Sequence, residues 1–473
     1  MTDSSSTKVP SSLTSASASA SASASTSSSA SALALPSSRA AIRAVQSERK
    51  RIAVERARHS PFWRDKLAHV NLTQLEDPSE WAKIPILNKE QLRALDDKTF
   101  YSQFCHAEHD GISEYWRSGG ATGKPLFYPR SRQDLHYAML SFRRVFQCLG
   151  LGGVGASGGG GSGGGGSGAK VHDSFPLGIH PVGQMLARAA QQEGIAVNWA
   201  GAGTTTPTAV QLDLIQRLQP TIWMGMSSYG LHLANLAEAQ GVDLAAASVE
   251  TVICSAEPLS DPKRAKLARG WGAQVFDSFG MTEAGMMGAE DPRSPRGGFR
   301  IWSDLYFIEV VDPDTYAPVA AGDVGSLVVT PLWTNNVTPF LRWLSGDSVV
   351  YTEADDDSGP FSVFPKVRHA HRTSGFFKVR GVNINHAEFE DFMFSNWQVT
   401  DFKCEAVSVD DQDVLRVSVE FGRDVDAGRA KQDLTVAIKQ TFESTPQIEV
   451  LAAGSLAREF ETSVKAPRFQ DRR

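Results

Sequence analysis

Residues 208–255 read TAVQLDLIQRLQPTIWMGMSSYGLHLANLAEAQGVDLAAASVETVICS, and this stretch decides the fold class. Residues 208–218 carry apolar positions at helical spacing, and 221–226 form a short apolar run that fits a buried strand. Residues 229–240 are again helical and 250–254 again strand-like. Strand and helix alternating at this spacing build a largely parallel sheet covered on both faces. Working outward, 180–193 reads as a helix and 195–199 as a strand, while 263–269 reads as a helix and 274–276 as a strand. From Phe307 the character changes: 307–311, 325–330 and 347–351 look like strands split by Asp-Pro and Gly turns. A compact α+β unit follows, with strands at 379–384, 404–410 and 414–421 and helices at 386–394 and 427–443. The expected class is α/β. It has a large N-terminal domain of mainly parallel sheet covered by helices plus a small β-rich part, then a small α+β C-terminal domain.

The 473 residues, 41% hydrophobic and 21% charged, suffice for two to three domains. Residues 1–37 are dominated by Ser and Ala, with no large side chain to bury, and are expected to be a disordered tail. Order is expected from Ser38, with an amphipathic helix over 41–58. Residues 152–168 contain GGGGSGGGGSG and read as a flexible loop, either an inserted linker or a natural Gly-rich insertion. A phosphate loop would need a strand before it, a helix after it and non-Gly residues at fixed places. A net charge of −6 argues against nucleic acid as a partner. No apolar run approaches the ~18 residues that span a membrane, and the N-terminus has no signal-peptide pattern. Cys105, Cys148, Cys254 and Cys404 are scattered, with no CxxC pair to suggest zinc or a disulfide framework. A cytoplasmic setting fits that usage.

Four segments carry chemistry. Ser118-Gly119-Gly120-Ala121-Thr122-Gly123-Lys124-Pro125 joins flexible glycines, hydroxyls and an ammonium. Glycines let successive N–H groups aim at one point, where hydroxyls and Lys124 add donors for phosphate oxygens; a plain turn is the alternative. Phe276-Asp277-Ser278-Phe279-Gly280-Met281-Thr282-Glu283 places an aromatic, a Gly turn, a hydroxyl and a carboxylate after a strand, where open α/β sheets bind ligands. Glu283 could hold Mg²⁺ there, and a helix N-terminus capped by Thr282 is the alternative. The third segment runs from Leu341 through Arg342 to Asp347, and the fourth includes His371-Arg372 and Arg380-Gly381. Each supplies Arg or Asp beside a Gly turn, suited to a ribose or to a surface ion pair.

In this order the four resemble the core motifs of the adenylate-forming superfamily, and within it the phenylacetate-CoA ligase family. Phe62-Trp63-Arg64 with residues 84–90 (IPILNKE) is similar to that family's early "FYR…LP…TKE" run. Cys254-Ser255-Ala256-Glu257-Pro258-Leu259-Ser260 resembles its "GAEPLS" turn, and residues 465–473 resemble its "GKAxRVxDRR" ending. The resemblance spans roughly residues 40–473. It implies a two-step reaction: a carboxylic acid attacks the α-phosphate of Mg·ATP to give acyl-AMP and pyrophosphate, and coenzyme A then displaces AMP. By the same resemblance Ser118, Gly119, Thr122, Gly123 and Lys124 hold the outer phosphates. Ser255, Ala256, Glu257 and Pro258 flank the adenine, with Asp277, Ser278, Phe279 and Gly280 beside them and Phe279 covering the base. Thr282 meets the α-phosphate, Glu283 carries Mg²⁺, Asp347 and Arg372 bind the ribose, and Lys465 bridges the two reacting anions. The implied boundaries are an adenylation domain over 38–371 and a mobile, swinging domain over 372–473, hinged at Ser374 and Gly375. A homodimer is the family-level expectation.

Three places depart from the pattern. The usual "GRxDD" reads His371-Arg372-Thr373-Ser374-Gly375, Ala121 stands where Thr is common, and Trp343-Leu344-Ser345 replaces "YRT". The acid pocket is expected between residues 137–142 and 224–229, with Tyr137, Phe142, Trp223 and Tyr229 as candidate aromatic lining. The readings carried forward are an aryl-acid:CoA ligase, an adenylating enzyme that loads a carrier protein or another nucleophile, and an inactive adenylate-binding relative.

Overall fold

The computed structural model describes residues 34–106, 111–118, 125–152, 168–294, 297–353, 359–370, 375–379, 381–409, 412–456, 458–459 and 467–473. The Ser/Ala tail through residue 33 and the Gly/Ser stretch 153–167 lie outside that set.

Strands β3 (Lys170–Asp173), β4 (Ala196–Trp199), β5 (Ile222–Gly225), β6 (Thr251–Ser255) and β7 (Gln274–Met281) are mutually parallel, in the spatial order β7-β6-β5-β3-β4. Every residue of β5 and β6 is buried, which is why β5 reads as an unbroken apolar run and β6 keeps an apolar centre at Val252–Cys254. The chain steps from β3 outward to β4 and then returns to β5 on the other side. That reversal is a topological switch point, where side chains behind the strand ends splay apart and leave a crevice. The sheet continues antiparallel from β7 through β8 (Gly285–Glu290), β9 (Phe299–Ile301), β13 (Lys366–His369), β12 (Trp343–Thr352), β11 (Val324–Pro331) and β10 (Tyr306–Val311).

Crossover helices cover the parallel half. They are α3 (Pro181–Gln192), α4 (Thr208–Leu218), α5 (Ser227–Gln240) and α6 (Asp261–Trp271), preceded in the chain by α1 (Arg39–Ala57) and by α2 (Arg132–Cys148), which packs on β8 and α3. A reciprocal capping box of Ser131 and Asp134 starts α2. Gly272, at φ +62°, ends α6, and a Cβ there would lie 2.7 Å from the Ala245 carbonyl oxygen. A second core holds the N-terminal segment, with Trp63, Trp81, Leu87, Phe104, Tyr128 and Phe340 packed together. Arg342 locks it: the guanidinium pairs with Glu309 at 3.0 Å and donates to the Ala82 and Ile84 carbonyls. Arg342 is thus a structural ion pair rather than a ribose ligand. The hairpin β1 (Ile112–Arg117) and β2 (Phe127–Ser131) stands beside α2.

The C-terminal unit opens with the hairpin β14 (Phe376–Val379) and β15 (Val382–Asn385), then α7 (His386–Ser395). Strands β16 (Val399–Val409), β17 (Gln412–Phe421), β18 (Gln447–Leu451) and β19 (Phe469–Asp471) make a sheet ordered β18-β17-β16-β19, with α8 (Ala427–Phe442) following β17 in the chain. Phe377, Phe389, Phe402, Phe442 and Phe469 form much of its aromatic interior.

Two local expectations change. The single strand expected over 379–384 is a hairpin, because Gly381 at φ +85° turns the chain after Val379. The strand expected to stop at Phe276 runs on to Met281. Its polar residues are zipped into the sheet, with Ser278 opposite both Ser255 and Ala289, so the turn falls at residues 282–284 and no helix starts at Thr282.

Candidate active site

A cavity of about 1250 Å³ opens at the switch point. Pro176, His180, Pro181 and Val182 reach it from behind β3, Met226 and Ser228 from behind β5, and Ser255 to Pro258 from behind β6. Gly280, Met281, Thr282 and Glu283 line it from the turn after β7. Pro467, Arg468 and Phe469 line it from the C-terminal unit, two residues beyond Lys465. The chain therefore converges on one space from four loops and a second folded unit.

The Ser255–Pro258 turn is shaped by Ala256, whose φ of +68° is unusual for a residue with a Cβ. Burial pushes the Glu257 carboxyl up, but the Lys263 ammonium and the Ser228 hydroxyl and N–H outweigh it and hold the acid below its ordinary value. Both Ser228 groups donate to Glu257, at 2.8 and 3.0 Å. Lys263, 4% exposed, meets Glu390 of α7 at 3.1 Å, and Arg468 meets Glu390 at 3.5 Å and pairs with Asp401. This charge cluster joins the C-terminal unit to α6 at the cavity wall.

The Thr282–Glu283 turn is held from beneath by β2. Arg130 is fully buried, and its guanidinium donates to the Thr282 and Glu283 carbonyls, each at 2.7 Å. It also reaches the Thr334 carbonyl at 2.9 Å and the Thr338 hydroxyl at 3.1 Å. The Tyr128 hydroxyl donates to Glu283 Oε1 at 3.0 Å. Burial first, and then the Glu283 charge, push the Tyr128 phenol well above its ordinary value, so it stays a donor. Gly280 is required by the same turn, since a Cβ there would lie 2.6 Å from the Gly285 carbonyl oxygen. Glu283 Oε2 makes no hydrogen bond among the described residues. No group of three or more His, Cys, Asp or Glu gathers among the described residues. A divalent cation at Glu283 would thus draw its other ligands from substrate phosphates and water, which suits Mg²⁺.

The expected site residues divide as follows. Ser118, Ser255, Ala256, Glu257, Pro258, Gly280, Thr282, Glu283 and Phe142 all line the one cavity. Gly119, Thr122, Gly123, Lys124, Arg372, Ser374 and Lys465 lie outside the described residues. Gly375 is at φ +114°, with its carbonyl accepting from His386 N–H at 3.0 Å.

Several expected residues do not reach the cavity wall. Phe279 does not cover it; its ring stacks on Phe299 at 5.5 Å and meets His369 at 4.8 Å, because the extended β7 carries it into the sheet packing. Asp277 and Ser278 are also buried beneath the wall, where the Ser278 hydroxyl donates to the Cys254 carbonyl. Burial and the neighbouring Glu290 push the Asp277 carboxyl well up. Asp347 is buried in β12, one residue past the lining stretch that ends at Gly346. Tyr137 packs instead on Trp333, with ring centroids 4.6 Å apart. Tyr229 is buried against Thr208 with its hydroxyl 3.0 Å from the threonine hydroxyl, and Trp223 packs on Trp271. The helical residues 137 and 142 lie on different sides of α2, so both could not have faced one pocket.

Residues 173–333 match the AMP-binding enzyme family. The chain is 27% identical to a phenylacetate-coenzyme A ligase of Pseudomonas putida, over 88% of this chain and 92% of that protein. It is 28% identical to a phenylacetate-coenzyme A ligase of Thermus thermophilus, over 74% of this chain and 75% of that one. The chain is similar to phenylacetate-CoA ligases over most of its length and carries an AMP-binding enzyme region. Its fold is that of the adenylate-forming enzymes. The crystal structure of 2-hydroxyisobutyryl-CoA ligase in the postadenylation state superposes with a TM-score of 0.75, over 92% of this chain and 89% of that one at 21% identity.

Sequence reasoning missed Arg117, Tyr128, Arg130, His180, Lys263, Glu390 and Arg468 as parts of this site. Arg130 and Tyr128 sit just after the Gly-rich segment, in a run with no motif of its own. Asn88, Lys89 and Glu90 lie in the early run quoted for the family resemblance, and they line the cavity as well.

Proposed function

We propose that the protein converts an aryl carboxylic acid, phenylacetate- or benzoate-like, to its acyl-CoA in two steps. ATP and the acid give acyl-AMP and pyrophosphate; coenzyme A thiol then attacks the acyl carbon, giving the thioester and AMP. The observation that carries the reading is the convergence of Ser255–Pro258, Thr282–Glu283 and Pro467–Phe469 on one cavity that apolar side chains also line. Phe142, Pro176, Val182, Met226 and Met286 are among the lining, a composition suited to an aromatic ring.

In the first step the Ser255–Pro258 turn receives the adenine and the Thr282 hydroxyl faces the α-phosphate. Glu283, oriented by Tyr128 and by the Arg130 clamp on its carbonyl, would hold Mg²⁺, which would supply neutralisation of phosphate charge. Lys465 bridges the acid's carboxylate and the α-phosphate, lowering the repulsion between two anions as they meet. The Gly119–Lys124 segment holds the departing pyrophosphate, and Arg372 belongs to the ribose side. The protein's contribution is positioning and charge neutralisation. Residues 38–371 form the adenylating unit, and 372–473 turn about Gly375 to admit coenzyme A for the second step. A homodimer and a cytoplasmic location complete the reading.

The test is AMP and pyrophosphate release from Mg·ATP across aryl and aliphatic acids, with and without coenzyme A, beside Lys465→Ala. Coenzyme A-dependent AMP formation with an aryl acid, reduced about 100-fold or more by the substitution, is expected. Pyrophosphate release indifferent to coenzyme A would move the assignment to carrier loading, a reading the altered His371–Gly375 segment favours. Silence across the panel would overturn both.

A further inference from the structure

Nearly every charged group on the cavity wall has a partner. Lys263 and Arg468 meet Glu390, Glu257 accepts from Ser228, Glu283 from Tyr128, and Glu90 from Arg93. Lys89 and His180 are engaged as well. Arg117 differs. It lines the cavity, yet its guanidinium makes no hydrogen bond or ion pair among the described residues, and its Nε is sealed from solvent.

The surroundings hold it so. Its backbone N–H donates to the Ile179 carbonyl at 3.1 Å, fixing the end of β1 against the segment that enters α3. The carboxylate on its own strand, Glu114, is taken by Arg188 at 2.6 Å and by the Trp116 indole N–H at 3.2 Å. A guanidinium whose Nε is shut off from water loses hydration that nothing in the protein returns. Its planar fork of donors matches carboxylate and phosphate oxygens.

We propose that Arg117 is the receptor for an oxyanion of the substrates. It stands where two can arrive. Ser118, the next residue, opens the Gly-rich segment, while Arg117 N–H is tied to the Ile179 carbonyl, next to His180 and Pro181, which line the same cavity. The anion is a terminal phosphate of the nucleotide or a second carboxylate on the acid. The proposal rests on the ligase reading and adds a binding residue to it.

The experiment is calorimetric titration of the full chain, wild type against Arg117→Gln and Arg117→Lys. The probes are Mg²⁺-pyrophosphate and, separately, 4-carboxyphenylacetate against phenylacetate. In the Gln variant one of the two anions is expected to bind about 10- to 100-fold more weakly, at unchanged Tm, while phenylacetate is unaffected. The Lys variant recovers part of the loss as a point charge. Weakened pyrophosphate assigns the phosphate; a weakened dicarboxylate assigns the acid. Both probes binding the Gln variant within twofold of wild type, or neither binding wild type at all, overturns the proposal. Binding is read without turnover, so a chain that holds the anion through Arg117 yet makes no acyl-adenylate would sink the ligase reading alone.

Discussion

Replacing Arg130 tests whether the Thr282–Glu283 turn works only because it is held from below. Arg130→Met keeps most of the side-chain volume and removes four hydrogen bonds, two of them to the carbonyls of that turn. A charge-assisted bond contributes about 1.5–3 kcal/mol net, so the turn loses about 3–6 kcal/mol of local restraint. The whole protein loses less, about 2–4 kcal/mol, because a buried cation is also removed. The catalytic effect comes from displacement: a shift of about 1 Å at a reacting centre is worth about 100-fold in rate. Arg130→Lys separates the two effects, since it keeps a charge but cannot reproduce the planar fork that spans both carbonyls. The assays are urea denaturation and acid-dependent pyrophosphate exchange over a Mg²⁺ series. Expected are a 10- to 100-fold lower kcat for both variants and a higher Mg²⁺ requirement, with Lys the more stable of the two. If Arg130→Lys folds and keeps both kcat and the Mg²⁺ midpoint within twofold of wild type, the clamp is not what orients Glu283.

Gly280→Ala puts a Cβ 2.6 Å from the Gly285 carbonyl oxygen, against backbone that cannot swing aside. Pyrophosphate exchange should fall at least tenfold, and unchanged exchange would mean the turn relaxes freely. Glu390→Gln removes the carboxylate shared by Lys263 and Arg468. Because Pro467–Phe469 line the cavity in this arrangement, adenylation should slow several-fold more than thioester formation from supplied acyl-AMP; equal slowing of the two would refute that link. Lys266, whose ammonium makes no hydrogen bond among the described residues and lies 5.3 Å from the Phe394 ring, has its pKa lowered to about 8, by burial above all. In that window the unfolded chain holds a proton the folded chain lacks, so this residue lets stability fall as pH drops from about 10.5 to about 8 and stay low below it. Lys266→Met should therefore raise Tm at pH 7 by a few degrees, with the gain fading above pH 8; a gain independent of pH would refute the cause.

Much of the architecture was legible because it rests on local pattern. Residues 208–218 form a helix over the very span their periodicity marks, and the buried run 221–226 and the strand-like residues 250–254 both supply central strands, as parallel sheets covered on both faces require. The turn residues Thr282–Glu283 stood out because they follow a strand end, where such sheets bind ligands, and Ser255–Pro258 through the resemblance of residues 254–260 to a family turn.

What stayed hidden depends on contacts between distant segments. Helical and strand spacing could not say that Tyr137 would turn to Trp333, or that Phe279 would pack on Phe299, since each rests on how a second element is seated. Arg130 and Glu283 are far apart in the chain, as are Lys263 and Glu390, and none of the four carries a local signal of its partner. The sequence by itself determined the elements, their alternation and the chemical groups present, because helix, strand and turn preferences act over a few residues. Only the tertiary structure decided which groups face one cavity, which are silenced by a partner, and that Arg117 is left with its charge unanswered, because pairing and burial are properties of the packed whole.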